Sequence, residues 1–296
     1  MKLSILIPSR NEQFLKNTVE DILANIEDET EIIVGLDGVW ADVPKDPRVS
    51  VYYSPISLGG RGMTNQLCRL SKAKYVMKSY AHCAFYKGFD KKLIEDMHDD
   101  WTVVPMMYNL HVFDWECKKC GERFYQGPTP PNCKCGNTEF KQVIIWKPRL
   151  DRCSWNWVFN KDLKFELGDG CHDTPKERGL VETACLLGAC FMLTRKKYWS
   201  LNICEEIYGS WAQQWTEVAM KTWSSGGKLM CNQKTWFAHL YRFKVGEFGF
   251  PYPQNYDEEN EQAKKIIRER FDTEWLLKKF PLKEKKMGCD NWDFYR

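Results

Sequence analysis

The most specific chemistry in the sequence is carried by four cysteines. Cys117 and Cys120 form a CxxC pair and Cys133 and Cys135 a CxC pair, with twelve residues between them. Four thiolates at this spacing can close a tetrahedral site around Zn2+, the geometry that structural zinc sites adopt. Gly121 and Gly136 directly follow the two pairs and allow the tight turns of cysteine knuckles. The plain role of such a site is to staple a loop that has no core of its own. Lys118, Lys119, Arg123, Lys134 and Lys141 crowd the same stretch, and Phe124 and Tyr125 offer ring faces. A nucleic-acid contact is therefore the alternative role, set against an ordinary solvated basic surface. Cys68, Cys83, Cys185, Cys190, Cys204 and Cys231 lie in apolar or helical surroundings. Reduced, buried thiols are expected there rather than disulfides.

A second set of reactive residues sits where apolar runs stop. Residues 3–7 read as a buried strand that ends at Pro8-Ser9-Arg10-Asn11, and 31–36 as a second that ends at Asp37-Gly38. A helix is expected over 11–26, a third strand at 49–53, a helix at 63–72 and a fourth strand at 74–78. This alternation calls for a largely parallel sheet with helices on its faces. Such sheets bind ligands outside the carboxyl ends of their strands. Ser9, Arg10, Asp37 and the Tyr80-Ala81-His82 run should therefore converge on one crevice. Arg61, behind two glycines at a helix start, is placed for phosphate. Asp37 can equally be a turn-forming aspartate before Gly38.

Farther along, strands are expected at 101–107, 143–146, 188–194, 228–231 and 235–241, with helices at 195–201 and 211–224. Residues 148–180 show little periodicity. Ser225-Gly226-Gly227 has the character of a helix C-cap. Trp211 and Trp215, one helical turn apart, can floor a sugar or base site or belong to the core. The tail from 257 to 286 is charged and helical, with Ile266, Ile267, Phe271, Trp275 and Leu276 as its expected buried face.

The 296 residues suffice for one large core. With 43 Lys+Arg against 40 Asp+Glu, the net charge of +3 excludes a histone-like polycation and an acidic solvating protein. No apolar run approaches the length of a membrane span, so no membrane insertion is expected. The first apolar run ends at Pro8, too short for a signal-peptide core. A cytoplasmic location is the expectation.

In their order and spacing, several segments resemble family 2 glycosyltransferases of the GT-A fold. Ser4 to Glu12 resembles the opening strand and loop of those enzymes, and Glu31 to Gly38 the second strand with its acidic end. Gly60 to Asn65 resembles the glycine-rich turn and helix, and Trp211 to Glu217 the acceptor-side helix. The likeness is greatest to a phage and prophage branch with a similar cysteine-rich insert, for which the location would be the host cytoplasm.

The resemblance implies an α/β fold: a GT-A-type Rossmann-like mixed sheet flanked by helices, with a small inserted zinc module. Residues 1–113 would bind nucleotide sugar, 114–140 form the zinc module, 141–250 the acceptor-side half and 251–296 a charged helical tail. The implied activity is transfer of a hexose from a nucleotide sugar, UDP-linked, to an acceptor such as a modified DNA base or a glycan. Ser9, Arg10, Asp37, Arg61 and Asn65 would bind the donor. His82 and His239 would hold a donor-site metal, Mn2+ in preference to Mg2+ because imidazole suits a transition ion. Trp211, Gln214 and Trp215 would face the acceptor, and Glu217 is the nearest acid to serve catalysis, its plainer reading being an i,i+4 pair with Lys221.

The sequence departs from the family pattern twice. Tyr80 stands where the first metal-binding aspartate is usual, and Gln214-Trp215 where inverting members place an acidic pair. A catalytically silent domain that binds nucleotide sugar, glycan or nucleic acid is therefore the alternative reading. A zinc-ribbon nucleic-acid binder on an incidental scaffold is a third.

Overall fold

The structure is a computed structural model that describes residues 1–167, 174–175, 177–242, 249, 252 and 256–281. The first part runs β1 (Leu3–Ser9), α1 (Leu15–Asn25), β2 (Thr30–Asp37), β3 (Val49–Ser54), α2 (Gly59–Leu70) and β4 (Tyr75–Ser79). This is the alternation expected from the apolar runs. β1 is buried along nearly its whole length because parallel partners flank it on both sides, β2 and β4. Gly35 in β2 lets α2 lie close on the sheet, since a Cβ there would collide with Met63.

The chain continues through β5 (Cys83–Phe85), α3 (Phe89–Glu95), β6 (Trp101–Cys117), β7 (Arg123–Tyr125) and β8 (Phe140–Ser154). A small hairpin, β9 (Trp157–Phe159) with β10 (Phe165–Leu167), precedes β11 (Leu180–Glu182) and β12 (Cys190–Thr194). Then come α4 (Arg195–Ser200), α5 (Gln214–Ser224), β13 (Lys228–His239), α6 (Tyr256–Arg270) and α7 (Thr273–Lys279). The main sheet has the order β11-β13-β6-β12-β4-β1-β2-β3. β12 is antiparallel to its neighbours β4 and β6, which makes the sheet mixed. No described helix is long and apolar enough to cross a membrane.

Three elements differ from the sequence reading. β6 and β8 extend well beyond 101–107 and 143–146 and pair as one long antiparallel ribbon, from Met107 opposite Ser154 to Cys117 opposite Phe140. The outer end of β6 alternates apolar with polar residues from Phe113 to Cys117, and Pro148 sits beside a register shift, where a missing ladder donor is tolerated. The two strands expected at 228–231 and 235–241 are one, β13, interrupted by a bulge between Asn232 and Trp236. Asn232 is buried at that bulge and donates to Asp96, so a polar residue read as a break is a paired one. In the tail, Ile267 and Leu276 are buried as expected, but Trp275 is 46% exposed and lies against Trp223 and Lys279. Residues 168–173 of the expected excursion, and the tail beyond 281, lie outside the described residues.

Candidate active site

A crevice of about 410 Å³ opens at the carboxyl ends of β1, β2 and β4. Ser9 and Arg10 reach it from β1, Asp37 from β2, and Tyr80 and His82 from the segment after β4. His239 enters from the end of β13, and Trp211, Gln214 and Trp215 from the start of α5. The switch-point rule thus brings together the residues it was used to select.

The two histidines face one another. His82 Nε2 lies 3.2 Å from His239 Nε2, while His82 Nδ1 lies 3.3 Å from Glu12 Oε2. Arg242 in turn donates to Glu12 at 2.6 Å. Burial pushes both imidazoles below their ordinary range, and for His82 the neighbouring Glu12 carboxylate opposes that shift. Neutral rings with converging nitrogens are the donor set a transition ion requires, and the carboxylate on the far nitrogen of His82 is a usual orienting partner. His239 Nδ1 is buried without a hydrogen-bond partner. No third His, Cys, Asp or Glu joins this pair among the described residues. Tyr80 instead lays its ring beside both, with centroids 5.6 and 5.7 Å away.

Asp37 makes the turn contacts read for it and also borders the crevice. Its oxygens accept from the Ser57 hydroxyl and from the backbone N–H groups of Leu58 and Gly59. These bonds cap the start of α2 and fix the glycine turn beside the crevice. Ser9 Oγ is buried and makes no hydrogen bond, which leaves it available to a ligand. Arg10 rests over the ring of Tyr252, 5.5 Å from its centroid.

Three expected site residues belong elsewhere. Arg61 is fully buried, and its guanidinium donates to Glu217 and to the carbonyls of Tyr208, Gly209 and Ala212. It points into the packing under α2 rather than toward a phosphate. Glu217 is equally buried; it also accepts from Lys221 and from the Glu205 backbone N–H. With three hydrogen bonds on its two oxygens and no exposure to solvent, it is an ion-pair centre of the core. Asn65 donates to the Cys204 carbonyl and to Glu206 and accepts from Tyr198, so it too is an internal brace.

Other crevice residues escaped the sequence reading. Glu12 and Arg242 follow the ends of β1 and β13, and Glu259 enters from α6 to accept from the Ser210 backbone N–H. Lys78 lies inside β4 and also lines the crevice. A lysine within an otherwise apolar central strand was the one available signal.

The cysteine cluster sits at the tip of the β6–β8 ribbon. All four sulfurs lie within 4.8 Å of one another; Cys117 to Cys135 is 3.7 Å and Cys120 to Cys133 is 3.5 Å. A Zn–S distance of about 2.3 Å in a tetrahedron places sulfurs about 3.8 Å apart, so these residues fit zinc. Gly121 and Gly136 both have positive φ, at 75° and 81°, as the knuckle turns need. Burial opposes ionisation of Cys117, yet hydrogen bonds from the Cys120 and Lys119 backbone and from Asn137 bring it down to about 6.

The basic residues around this cluster are mostly neutralised: Lys118 pairs with Glu139, Arg123 and Lys141 with Glu116, and Lys134 with Glu122. Phe124 packs edge-on against Phe140, and Tyr125 lies against His111 and Arg149. Pairing and packing favour a staple over a nucleic-acid face. The six scattered cysteines read as structural are all buried and free. Burial pushes Cys68 and Cys83 up to about 12.

The mixed sheet, with its crevice at the carboxyl ends of β1, β2 and β4, is of the GT-A kind. The chain belongs to glycosyl transferase family 2, whose profile matches residues 4–173. Among solved structures it is similar to GalNAc-T7 with UDP, GalNAc and Mn2+, at TM-score 0.61 and 14% identity over 90% of this chain and 47% of that one. The chain thus spans about half the length of that relative. It also overlaps Staphylococcus aureus TarS, at TM-score 0.45 and 11% identity over 81% of this chain and 37% of that one. At 14% identity the likeness to GalNAc-T7 is one of fold. No curated protein matches the sequence significantly.

Proposed function

We propose that the chain transfers a hexose from a UDP-linked sugar to an acceptor hydroxyl or amine. The observation that carries this reading is the convergence of Ser9, Arg10 and Asp37 with the His82–His239 pair on one crevice, in a chain of glycosyl transferase family 2. Ser9, Arg10 and Asp37 would hold the nucleotide. His82 and His239 would hold a transition metal such as Mn2+, which neutralises charge on the departing diphosphate. Trp211, Gln214 and Trp215 form the opposite wall, where an acceptor would lie. Arg61, Asn65 and Glu217 act by holding α2 and α5 in place.

The silent-domain reading has its own support. Tyr80 supplies a phenol where a carboxylate is usual. The crevice carboxylates Glu12, Asp37 and Glu259 each accept hydrogen bonds from the protein itself. A two-part experiment separates the readings. The first part is thermal-shift titration with UDP, UDP-glucose and UDP-GlcNAc, with and without Mn2+. A ligand at about 100 times its Kd stabilises by about 2.7 kcal/mol, a shift of several degrees. The second part follows UDP release with DNA and glycan acceptors. A thermal shift with release above the acceptor-free rate is the expected outcome. A shift without release identifies a silent binding domain, and no shift with any UDP species refutes the donor assignment.

A further inference from the structure

Lys78 is 3% exposed and lines the crevice, yet among the described residues no carboxylate meets its ammonium. Nζ donates to the Gly188 carbonyl at 2.6 Å and to Gln214 Oε1 at 2.8 Å, and it lies 3.6 Å from the centroid of the Tyr80 ring. Both groups that replace the family's acidic residues, Tyr80 and Gln214, therefore rest on the same lysine. A buried ammonium left without a counter-charge is costly, and it is retained where a charge of the opposite sign arrives from outside. The other crevice cations differ: Arg242 is paired with Glu12, and Arg10 is only half-buried.

We propose that Lys78 is the fixed cation of a diphosphate site that works without divalent metal, its charge standing behind the Tyr80 ring at the crevice wall. This rests on the nucleotide-sugar reading, and it assigns to a side chain the charge compensation that a carboxylate-bound ion ordinarily supplies. The ammonium touches both Tyr80 and Gln214, the two positions where the family resemblance led carboxylates to be expected. A metal on His82 and His239 would add to this charge rather than substitute for it.

The ionisation of Lys78 offers a second readout. Burial pushes it down to about 7, and Arg61 pushes the same way; Cys204, Cys83 and Cys190 face it and pull it up. Tyr80, Gln214 and the Gly188 carbonyl are its contacts, and His82 and His239, whose imidazoles its charge helps to depress, are the other titratable groups facing it. Near pH 8.5 the unliganded lysine is thus largely neutral. An arriving diphosphate favours the charged form, so binding takes up a proton.

The test is calorimetry of the full chain with UDP and with uridine, in EDTA, for wild type, Lys78→Met and Lys78→Gln. Wild type should bind UDP at least tenfold more tightly than uridine, and at pH 8.5 should take up close to one proton. Either variant should lose tenfold or more in UDP affinity, shift uridine affinity less than twofold, and take up no proton. Lys78→Gln keeps a donor for Gly188, which guards against misfolding, and its unliganded melting temperature should stay at or above that of wild type. If EDTA abolishes wild-type UDP binding, or the variants bind UDP as wild type does, the Lys78 assignment falls while the donor reading stands. If UDP fails to bind with or without Mn2+, the donor reading falls and takes this proposal with it.

Discussion

Glu217 and Arg61 show how far a residue's type can mislead about its task. Each stands near a helix start, in a motif position suited to catalysis or phosphate binding, and each is spent on the other across 156 positions of sequence. Glu217 lies between Arg61 and Lys221, with Oε2 to one and Oε1 to the other, both at 2.9 Å. Removing one partner of such a buried network strands the remaining charges. Glu217→Gln should therefore destabilise the protein by about 3–5 kcal/mol, measured by urea unfolding. Donor affinity of the folded fraction should stay near wild type. Unchanged stability with abolished turnover would instead restore Glu217 as a catalytic acid. The Lys221 half of this network was readable as an i,i+4 pair. Arg61 was not, because nothing local specifies which way a guanidinium points from a helix start.

At the scale of elements, the first 80 residues were legible because β1, β2 and β4 are buried on both faces and read as largely apolar runs between turn residues. The β6–β8 ribbon was not. Its distal half has only partial burial, so polar positions such as Asp114 and Glu116 break the run although the strand continues. The cysteine spacing nonetheless located the tip, since a metal site is specified by ligand count rather than by hydropathy. These two facts yield a prediction about independence. The ribbon is hydrogen-bonded into the main sheet from Met107 outward, and the sulfurs lie at its far end. Native mass spectrometry should show one Zn2+ per chain. Its removal by a strong chelator, or Cys120→Ser, should strip amide protection from residues 117–137 while UDP affinity changes less than twofold. Loss of donor binding on chelation would mean that the module supports the crevice and is more than a local staple.

For the whole molecule, what the sequence concealed was closure. The family match ends at residue 173, but much of the far wall of the crevice comes from later residues, and the loop before α5 is held by the tail. Glu259 accepts from the Ser210 N–H, Asn260 accepts from the Gln213 side chain, and Arg270 pairs with Glu205. Gln213 adopts a positive φ of 51° at the start of α5, a conformation that needs outside support in a residue other than glycine. Ser210 in turn receives the Gly60 N–H and accepts the Arg61 N–H on its carbonyl, so the tail, the loop and the α2 turn form one chain of contacts. Periodicity gave the tail helix a buried apolar face, but it says nothing of which polar residues meet which across the sequence. The double variant Glu259→Ala with Asn260→Ala removes the charged bond to Ser210 and the neutral bond to Gln213, which contribute about 2–4 kcal/mol together. Because these bonds brace the crevice rim, the loss should appear twice: as a lower melting temperature and as donor affinity weakened several-fold. A lower melting temperature with unchanged affinity would make the tail a stabiliser of the fold alone. Neither change would mean that the loop holds its shape without the helix.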